Sequence, residues 1–215
     1  MVSTIIVAAG SGRRMGAAVP KQFIEIEGEV ILMRVIKNFD YLSGEIIVVL
    51  PQDCMATWGE LCRAHNFTTP HKVVAGGAER IDSVKAGLGA ISHKSELVLV
   101  QDGVRPFATR SLIDRIILAA EEHGTAIPAL ALTDSIRSRT AGALERKELV
   151  AVQTPQAFRT DIILDAYAKI DRSTCATDDA SVVETAGYPI FLVESTKENI
   201  KITTPLDLKI AKLLW

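Results

Sequence analysis

The chain has 215 residues, of which 48% are hydrophobic, and a net charge of -2. This length fits one α/β domain with its own core, and the near-neutral charge excludes the broadly basic surface of nucleic-acid-binding domains. No apolar run approaches the roughly 18 residues of a membrane span, and the first residues lack the basic start and the apolar stretch of a signal peptide. We therefore expect a cytoplasmic protein that binds neither nucleic acid nor membrane.

The cysteines and histidines show no metal-binding or disulfide pattern. Three cysteines is an odd number, and none of them forms a Cys-x-x-Cys pair. The four histidines are scattered without ligand spacing. We interpret all seven as structural or surface residues: Cys54, Cys62, Cys175, His65, His71, His93 and His123.

Short β-branched runs and helical patterns alternate along the first 124 residues. The runs predict four strands, at residues 4–8, 45–50, 72–75 and 96–100. Apolar residues at helical spacing predict helices at residues 29–39 and 79–92. Ser111 is a suitable N-cap for a further helix that stops at Gly124. This alternation predicts a parallel sheet with helices on both faces.

Residues from about 131 to 152 interrupt this pattern. Two short polar strands joined at Gly142 predict a projecting hairpin. Because a two-stranded hairpin is marginal alone, we expect it to pack on a partner subunit as an arm; the alternative is a solvated surface loop. The basic residues of the segment are Arg137, Arg139, Arg146 and Lys147.

The remaining third of the chain returns to helices and a strand. We predict a helix from Thr160, a helix at residues 178–185, a strand at residues 190–193 and a last helix from Pro205, which suits a first helical position. There is no repeat, linker or low-complexity segment. The sequence therefore predicts one domain over residues 1–215, with the arm as an insertion.

The first strand leads into a glycine-rich loop that also carries cations. Glycines at this place let the backbone approach a phosphate and present N–H donors to it. A reacting triphosphate also needs its developing charge neutralised, and Arg13, Arg14 and Lys21 could supply the cations. The segment reads Ala8-Ala9-Gly10-Ser11-Gly12-Arg13-Arg14-Met15-Gly16.

Two common phosphate-binding motifs do not fit this loop. The dinucleotide fingerprint of NAD-binding oxidoreductases needs a glycine where Met15 stands and an acid at the end of the second strand, where Leu50 and Pro51 stand. The Walker loop needs Gly-Lys-Ser/Thr, but Lys21 follows a proline. Both motifs are therefore disfavoured.

Asp102 directly follows the predicted strand at residues 96–100. Ligands of open parallel sheets collect at the carboxyl ends of the strands. A carboxylate at this edge suits Mg²⁺ or another divalent cation, which binds through one or two carboxylates, water and phosphate oxygens. We predict that Asp102 is a metal ligand; the alternative is a turn residue before Gly103.

The glycine-rich loop and residues 20–23 together resemble the signature of sugar-phosphate nucleotidyltransferases. Other segments, in order along the chain, are similar to the 2-C-methyl-D-erythritol 4-phosphate cytidylyltransferases of the non-mevalonate isoprenoid pathway. These segments are residues 76–84 (GGAERIDSV), 102–106 (DGVRP), 154–158 (TPQAF), 177–181 (TDDAS) and 199–205 (NIKITTP). Ribitol-5-phosphate cytidylyltransferases share most of them and are the alternative. A non-catalytic nucleotide-binding regulator would not need the lysines and the carboxylate to converge.

The resemblance implies an α/β fold that is Rossmann-like, with a mostly parallel sheet, helices on both faces and a projecting β-arm for dimerisation. It implies a homodimeric enzyme whose substrates are CTP and a polyol phosphate. In the reaction that the resemblance implies, a phosphate oxygen of the acceptor would attack the α-phosphorus of CTP and expel pyrophosphate, with no covalent enzyme intermediate.

The resemblance also assigns roles to single residues. Arg14 and Lys21 would stabilise the pentavalent α-phosphate, and Lys201 would hold the attacking group. Arg146 would reach into the neighbouring subunit's site and bind the acceptor phosphate. The other substrate-binding residues would be Asp102, Arg105 and Ser135, and the nucleotide-binding residues Ala8, Ala9, Gly10, Gly12, Gly76, Gly77 and Ser83.

The chain departs from the family pattern at three positions. Gln101 stands where histidine is common, and Ala78 stands where an acidic residue is common. Ser135 replaces a threonine and keeps its hydroxyl, so its polar role in binding the acceptor can survive.

Overall fold

The computed structural model describes residues 1–10, 19–171 and 176–215. Gly12 and Arg14 lie outside these residues. In chain order the elements are β1 (Val2–Val7), β2 (Glu25–Ile26), β3 (Glu29–Val30), α1 (Ile31–Lys37), β4 (Gly44–Leu50), α2 (Met55–Ala64), β5 (Lys72–Ala75), α3 (Arg80–Leu88), β6 (Leu97–Asp102), α4 (Arg110–His123), β7 (Thr125–Ala131), β8 (Arg137–Ser138), β9 (Gly142–Ala143), β10 (Val150–Val152), β11 (Gln156–Arg159), α5 (Thr160–Lys169), α6 (Asp179–Thr185), β12 (Leu192–Glu194) and α7 (Pro205–Leu214).

A mixed, mostly parallel sheet organises the described part of the chain. Its strand order is β10-β7-β11-β6-β1-β4-β5, and β12 also pairs with β7. β6, β1, β4 and β5 are parallel neighbours, whereas β11 runs antiparallel to both β6 and β7. The carboxyl ends of β1, β4, β5 and β6 consequently meet at one edge, as the parallel-sheet prediction requires.

Strand alternation divides the core between the two faces of the sheet. Ile6, Val48 and Leu99 point to the face covered by α1, α2 and α4, whereas Ile5 and Val49 point to the face covered by α3, α5 and α6. Successive side chains of a strand alternate between faces, so strands buried on both sides read as continuous apolar runs. These runs are what made the first strands predictable.

Several predicted boundaries were wrong. Residues 29 and 30 form β3, so that α1 is shorter than expected. The N-cap of α4 is Thr109, whose Oγ1 accepts from the N–H of Leu112 at 3.2 Å; Ser111 lies inside the helix. Gly124 does end α4, in a left-handed conformation with φ 84°. The starts of α5 at Thr160 and of α7 at Pro205 are confirmed.

Several elements were not predicted, among them β2, α2, β7 and β11. Trp58 is the one buried residue of α2, and the apolar residues at helical spacing around it, such as Met55 and Leu61, are only partly buried. β7 carries Pro128 in its interior, and proline usually argues against a strand. β11 runs antiparallel, which a short apolar run does not indicate. The sheet is mixed but mostly parallel, as the resemblance implied, although the alternation of strands and helices alone suggested parallel strands throughout.

The predicted arm extends the end of the sheet. β10 pairs antiparallel with the end of β7, and beyond it β8 pairs with β9 as a short hairpin. Gly142 begins β9 with φ 79°, so it follows the turn rather than forming it. Val150 and Val152, on the edge strand β10, are 40% and 38% exposed.

Among the described residues, no helix is long and apolar enough to cross a membrane.

Candidate active site

A pocket of about 430 Å³ lies at the carboxyl ends of β1 and β6. It contains basic and acidic side chains close together. Its lining residues are Val7, Ala8, Ala9, Gly10, Lys21, Gln22, Gly77, Ala78, Glu79, Arg80, Ser83, Asp102, Val104 and Lys201. The sheet edge at which we predicted ligand binding therefore contains a pocket.

The turn that carries Lys21 is fixed to the end of β1. Buried Gln22 donates from Nε2 to the carbonyl oxygen of Ala8 at 2.9 Å. Phe23 is buried and stacks on Trp58 with ring centroids 5.8 Å apart. These two anchors hold the backbone of the turn, so that Lys21 lies at the pocket wall.

A second wall is the glycine turn before α3. The N–H of Gly77 donates to Ser83 Oγ at 3.2 Å, and Ser83 Oγ donates to the carbonyl oxygen of Glu79 at 3.1 Å. A Cβ on Gly76 would come within 2.7 Å of the Ala9 side chain. Gly76 therefore lets the turn close against the loop after β1, although it does not line the pocket itself.

The amino end of α3 faces the pocket through this turn. Free N–H groups and the helix dipole make a helix start favourable for anions. Gly77, Glu79 and Arg80 lie at or before the helix start and line the pocket. Arg80 brings a full positive charge to the same wall.

Asp102 lies at the end of β6 between two cations. Its Oδ2 is 2.9 Å from Lys201 Nζ and 3.1 Å from Arg105 Nε. Its N–H donates to Thr154 Oγ1 at 3.0 Å. Arg105 also donates from Nη1 to the carbonyl oxygen of Asn199 at 2.8 Å. The segment at residues 199–205 is thereby joined to the end of β6.

The charges around Asp102 determine its protonation. Burial alone would raise the pKa of this carboxyl, but Lys201, Arg105 and Arg80 outweigh that effect and hold the pKa below its usual range. The carboxylate is therefore ionised at neutral pH.

A magnesium ion would find few protein ligands here. Within the described residues, no group of three or more His, Cys, Asp or Glu side chains could hold a metal. Asp102 offers one ionised carboxylate in the pocket. A hard cation that shares phosphate oxygens and water fits such a site.

Sequence comparison assigns the family. The family model described as IspD, 2-C-methyl-D-erythritol 4-phosphate cytidylyltransferase, matches residues 2–215. Proteins of that name from Bacteroides thetaiotaomicron and Porphyromonas gingivalis are 43% and 44% identical; the alignments cover 99% and 98% of this chain and 98% and 96% of those proteins. The chain belongs to the IspD family.

Solved structures agree with this family and with the fold. The enzyme of the same name from Thermus thermophilus superposes with a TM-score of 0.80 at 32% identity, covering 100% of this chain and 98% of that one. The 4-diphosphocytidyl-2C-methyl-D-erythritol synthase of Anaerococcus prevotii gives 0.85 at 30% identity, covering 99% and 95%. The chain is therefore a cytidylyltransferase and not an NAD-dependent oxidoreductase.

The pocket contains most, but not all, of the predicted site residues. Ala8, Ala9, Gly10, Lys21, Gly77, Ser83, Asp102 and Lys201 line it. Arg105 contacts Asp102 from behind. Ser135 and Arg146 are exposed in the arm and are not lining residues. Arg146 donates from Nη1 to the carbonyl oxygen of Thr133.

Sequence reasoning missed Arg80, Glu79 and Gln22. Arg80 lies in the segment at residues 76–84 that resembles the family, but no role was predicted for it. Its partner Asp179 belongs to another such segment and is 99 residues away. Both residues lie in segments that resemble the family, but this resemblance does not indicate that the two segments contact each other.

Proposed function

We propose that this protein transfers the cytidylyl group of CTP to 2-C-methyl-D-erythritol 4-phosphate, releases pyrophosphate and so contributes to non-mevalonate isoprenoid precursor synthesis. The observation that carries the proposal is the family match over residues 2–215. The pocket supports it, because Lys21, Asp102 and Lys201 converge there from three distant segments.

The reaction forms one bond and breaks one. A phosphate oxygen of the acceptor bonds to the α-phosphorus of CTP, and the bond from that phosphorus to the bridging oxygen of the β-phosphate breaks, so that pyrophosphate leaves with the electron pair. Such phosphoryl chemistry depends on positioning and on stabilising charge. A pocket lined by Lys21, Arg80 and Lys201 meets both needs.

We assign separate tasks to the two lysines. Lys21, held by the turn after the glycine-rich loop, would stabilise charge on the α-phosphate together with Arg14. Lys201 would orient the acceptor phosphate; its present partner is Asp102, which it would share with an incoming anion. Arg105 keeps Asp102 paired and in place when Lys201 turns to that anion.

We further propose that Mg²⁺ enters with the nucleotide and binds Asp102. When bound, the ion supplies positive charge to the phosphates of CTP. The ionised and nearly buried carboxylate of Asp102 supports this assignment.

We propose a homodimer that is joined through the arm. Edge strands with unpaired backbone groups are templates for another chain, and β10 is such an edge with exposed valines. Arg146, which lies outside the pocket of its own chain, would complete the partner's site. Arginine suits this task because its planar guanidinium binds phosphate bidentately.

The test is pyrophosphate release with a panel of substrates. Each of CTP, UTP, ATP and GTP is combined with 2-C-methyl-D-erythritol 4-phosphate, ribitol 5-phosphate or no acceptor. We expect CTP with the methylerythritol phosphate to give the highest kcat/KM. A higher value with ribitol 5-phosphate would reassign the acceptor, and release without any acceptor would contradict the transfer.

A further inference from the structure

A buried carboxylate holds the arginine of the pocket wall from behind. Arg80 donates from Nη1 to Asp179 Oδ1 at 2.9 Å and from Nη2 to Oδ2 at 2.6 Å. The Asp179 side chain is fully buried on α6, whereas that of Arg80 is 28% exposed. Arg80 also lines the pocket. One end of this ion pair therefore belongs to the core, and the other belongs to the site.

Asp179 is itself fixed in orientation. Tyr167, on α5, donates from its hydroxyl to Asp179 Oδ1 at 2.6 Å. The first turn of α6 is attached to β11 because Gln156 donates from Nε2 to Asp178 Oδ2 at 2.8 Å and accepts from the N–H of Ala180 at 2.9 Å. These contacts hold the carboxylate in the core, so its position defines where the paired guanidinium of Arg80 lies.

The geometry of the pair leaves part of the guanidinium available. An arginine has five N–H donors in a planar fork. The two that meet Asp179 point to the core, and the other three are directed away from the carboxylate. A free arginine side chain would lose considerable rotamer freedom on binding a ligand. In this protein the ion pair with Asp179 already restricts the Arg80 side chain in the folded state, so ligand binding does not incur that loss of rotamer freedom.

Stability alone does not explain such a pair. A buried ion pair is commonly no more stabilising than apolar residues of the same volume, because both charges lose their hydration. The charge of Arg80 does reach the pocket, since it helps to lower the pKa of Asp102. The pair thus has a direct influence on the site.

We propose that Asp179 and Tyr167 are positioning residues for nucleotide binding. They hold Arg80 in one orientation at the start of α3. Its outward N–H groups and the glycine turn are therefore ordered before the nucleoside triphosphate binds to them. This inference rests on the proposed use of CTP. It assigns a task in the site to α5 and α6, whose residues do not line the pocket.

The test is calorimetric titration of CTP and Mg²⁺ into the full chain without acceptor. We expect Asp179→Asn to raise the Kd about tenfold, because a charge-assisted contact becomes a neutral one. Tyr167→Phe, which removes one hydrogen bond, should raise it roughly threefold. The kcat at saturating CTP and the KM of the acceptor should change less than about twofold, a split that general loosening of the fold would not give.

The matched control is Tyr188→Phe. Tyr188 also donates to a carboxylate, Asp165 Oδ2, at 2.9 Å, and neither residue lines the pocket. This variant should bind CTP as the wild type does. Thermal unfolding of every variant shows whether it is folded, and if Asp179→Asn is not, the milder Tyr167→Phe decides the question.

A double-mutant cycle identifies the route of the effect. In an Arg80→Gln background, Asp179→Asn should change the Kd less than about twofold, because the group that it positions is gone. An equal loss in both backgrounds, or unchanged CTP binding by folded Asp179→Asn and Tyr167→Phe, would overturn the inference alone. A wild-type protein that does not bind CTP would overturn the proposed function as well.

Discussion

Asp102 illustrates how one residue gains its properties from its neighbours. The lowered pKa means that its stabilising effect is present above the unfolded pKa of about 3.9. That effect is lost progressively as the pH falls from the unfolded pKa through the lower native pKa. Between pH 6 and 9 the residue therefore stays ionised, and any pH dependence of the rate in that range arises elsewhere.

Replacing Lys21 tests charge stabilisation at the α-phosphate. We expect Lys21→Ala to lower kcat by about 100- to 1000-fold, the loss typical of one preorganised transition-state contact. The fold should persist, because Gln22 and Phe23 anchor the turn. Lys37→Ala, which removes an exposed lysine paired with Glu29, is the control. A Lys21→Ala enzyme that keeps more than about a third of its turnover would not have lost a catalytic residue.

Replacing Asp102 tests the metal. Asp102→Asn keeps the shape of the side chain and removes its charge, so Mg²⁺ should bind the nucleotide complex more weakly. We expect the Mg²⁺ concentration for half-maximal rate to rise about tenfold, from the loss of one ionic ligand. Rates are measured across a Mg²⁺ titration at fixed CTP. An unchanged titration would reassign Asp102 to holding Lys201 and Arg105.

At the scale of elements, the predictable parts were those whose burial shows in the local sequence. β1, β4 and β6 are buried on both faces and read as apolar runs, whereas α2 fully buries only Trp58 and leaves its other large apolar residues half-buried. The direction of β11 depends on its pairing with β6, more than fifty residues earlier. The local sequence pattern therefore predicted which strands and helices form better than it predicted how the strands pair.

The end of α4 provides a test of local backbone preference. Gly124 has φ 84°, and its N–H donates to the carbonyl oxygen of Ala120 at 2.9 Å. Gly124→Ala should cost about 1–2 kcal/mol of unfolding free energy from backbone strain, and more if Ile162, whose Cδ1 would be 2.8 Å from the new Cβ, does not move aside. Gly59→Ala within α2, where the nearest atom is 3.9 Å from a Cβ, should instead stabilise by about 0.5–1 kcal/mol. Urea denaturation measures both, and equal effects would contradict the argument.

At the scale of the whole molecule, the site combines segments that sequence order keeps apart. The rule that ligands gather at the carboxyl ends of parallel strands placed the start of the glycine-rich loop, Ala8 to Gly10, together with Asp102. It did not place Arg80 against Asp179, because that contact depends on how α6 packs on the sheet. Nor does one chain bring Arg146 to the pocket. The predictable part of the site consists of the residues whose positions follow directly from the order and direction of the strands.

The last prediction concerns the number of chains in one active site. Arg146 is exposed in the arm, and Leu144 beside it is 40% exposed. If the arms of two chains exchange, each Arg146 binds the acceptor phosphate at the other chain's pocket. Arg146→Ala and Lys21→Ala should each be nearly inactive. A mixture of the two should recover activity, because one site of a mixed dimer keeps both groups.

The fraction of mixed dimers determines how much activity is recovered. Random exchange of equal amounts gives half mixed dimers with one intact site each, so about a quarter of the wild-type activity is expected. Subunit exchange is measured independently, by energy transfer between labelled chains. The control mixture is Lys21→Ala with Lys201→Ala, whose lesions lie in the same pocket: each mixed dimer then has one defect in each site and should stay inactive. If exchange is shown and the Arg146 mixture also stays inactive, Arg146 does not act across subunits.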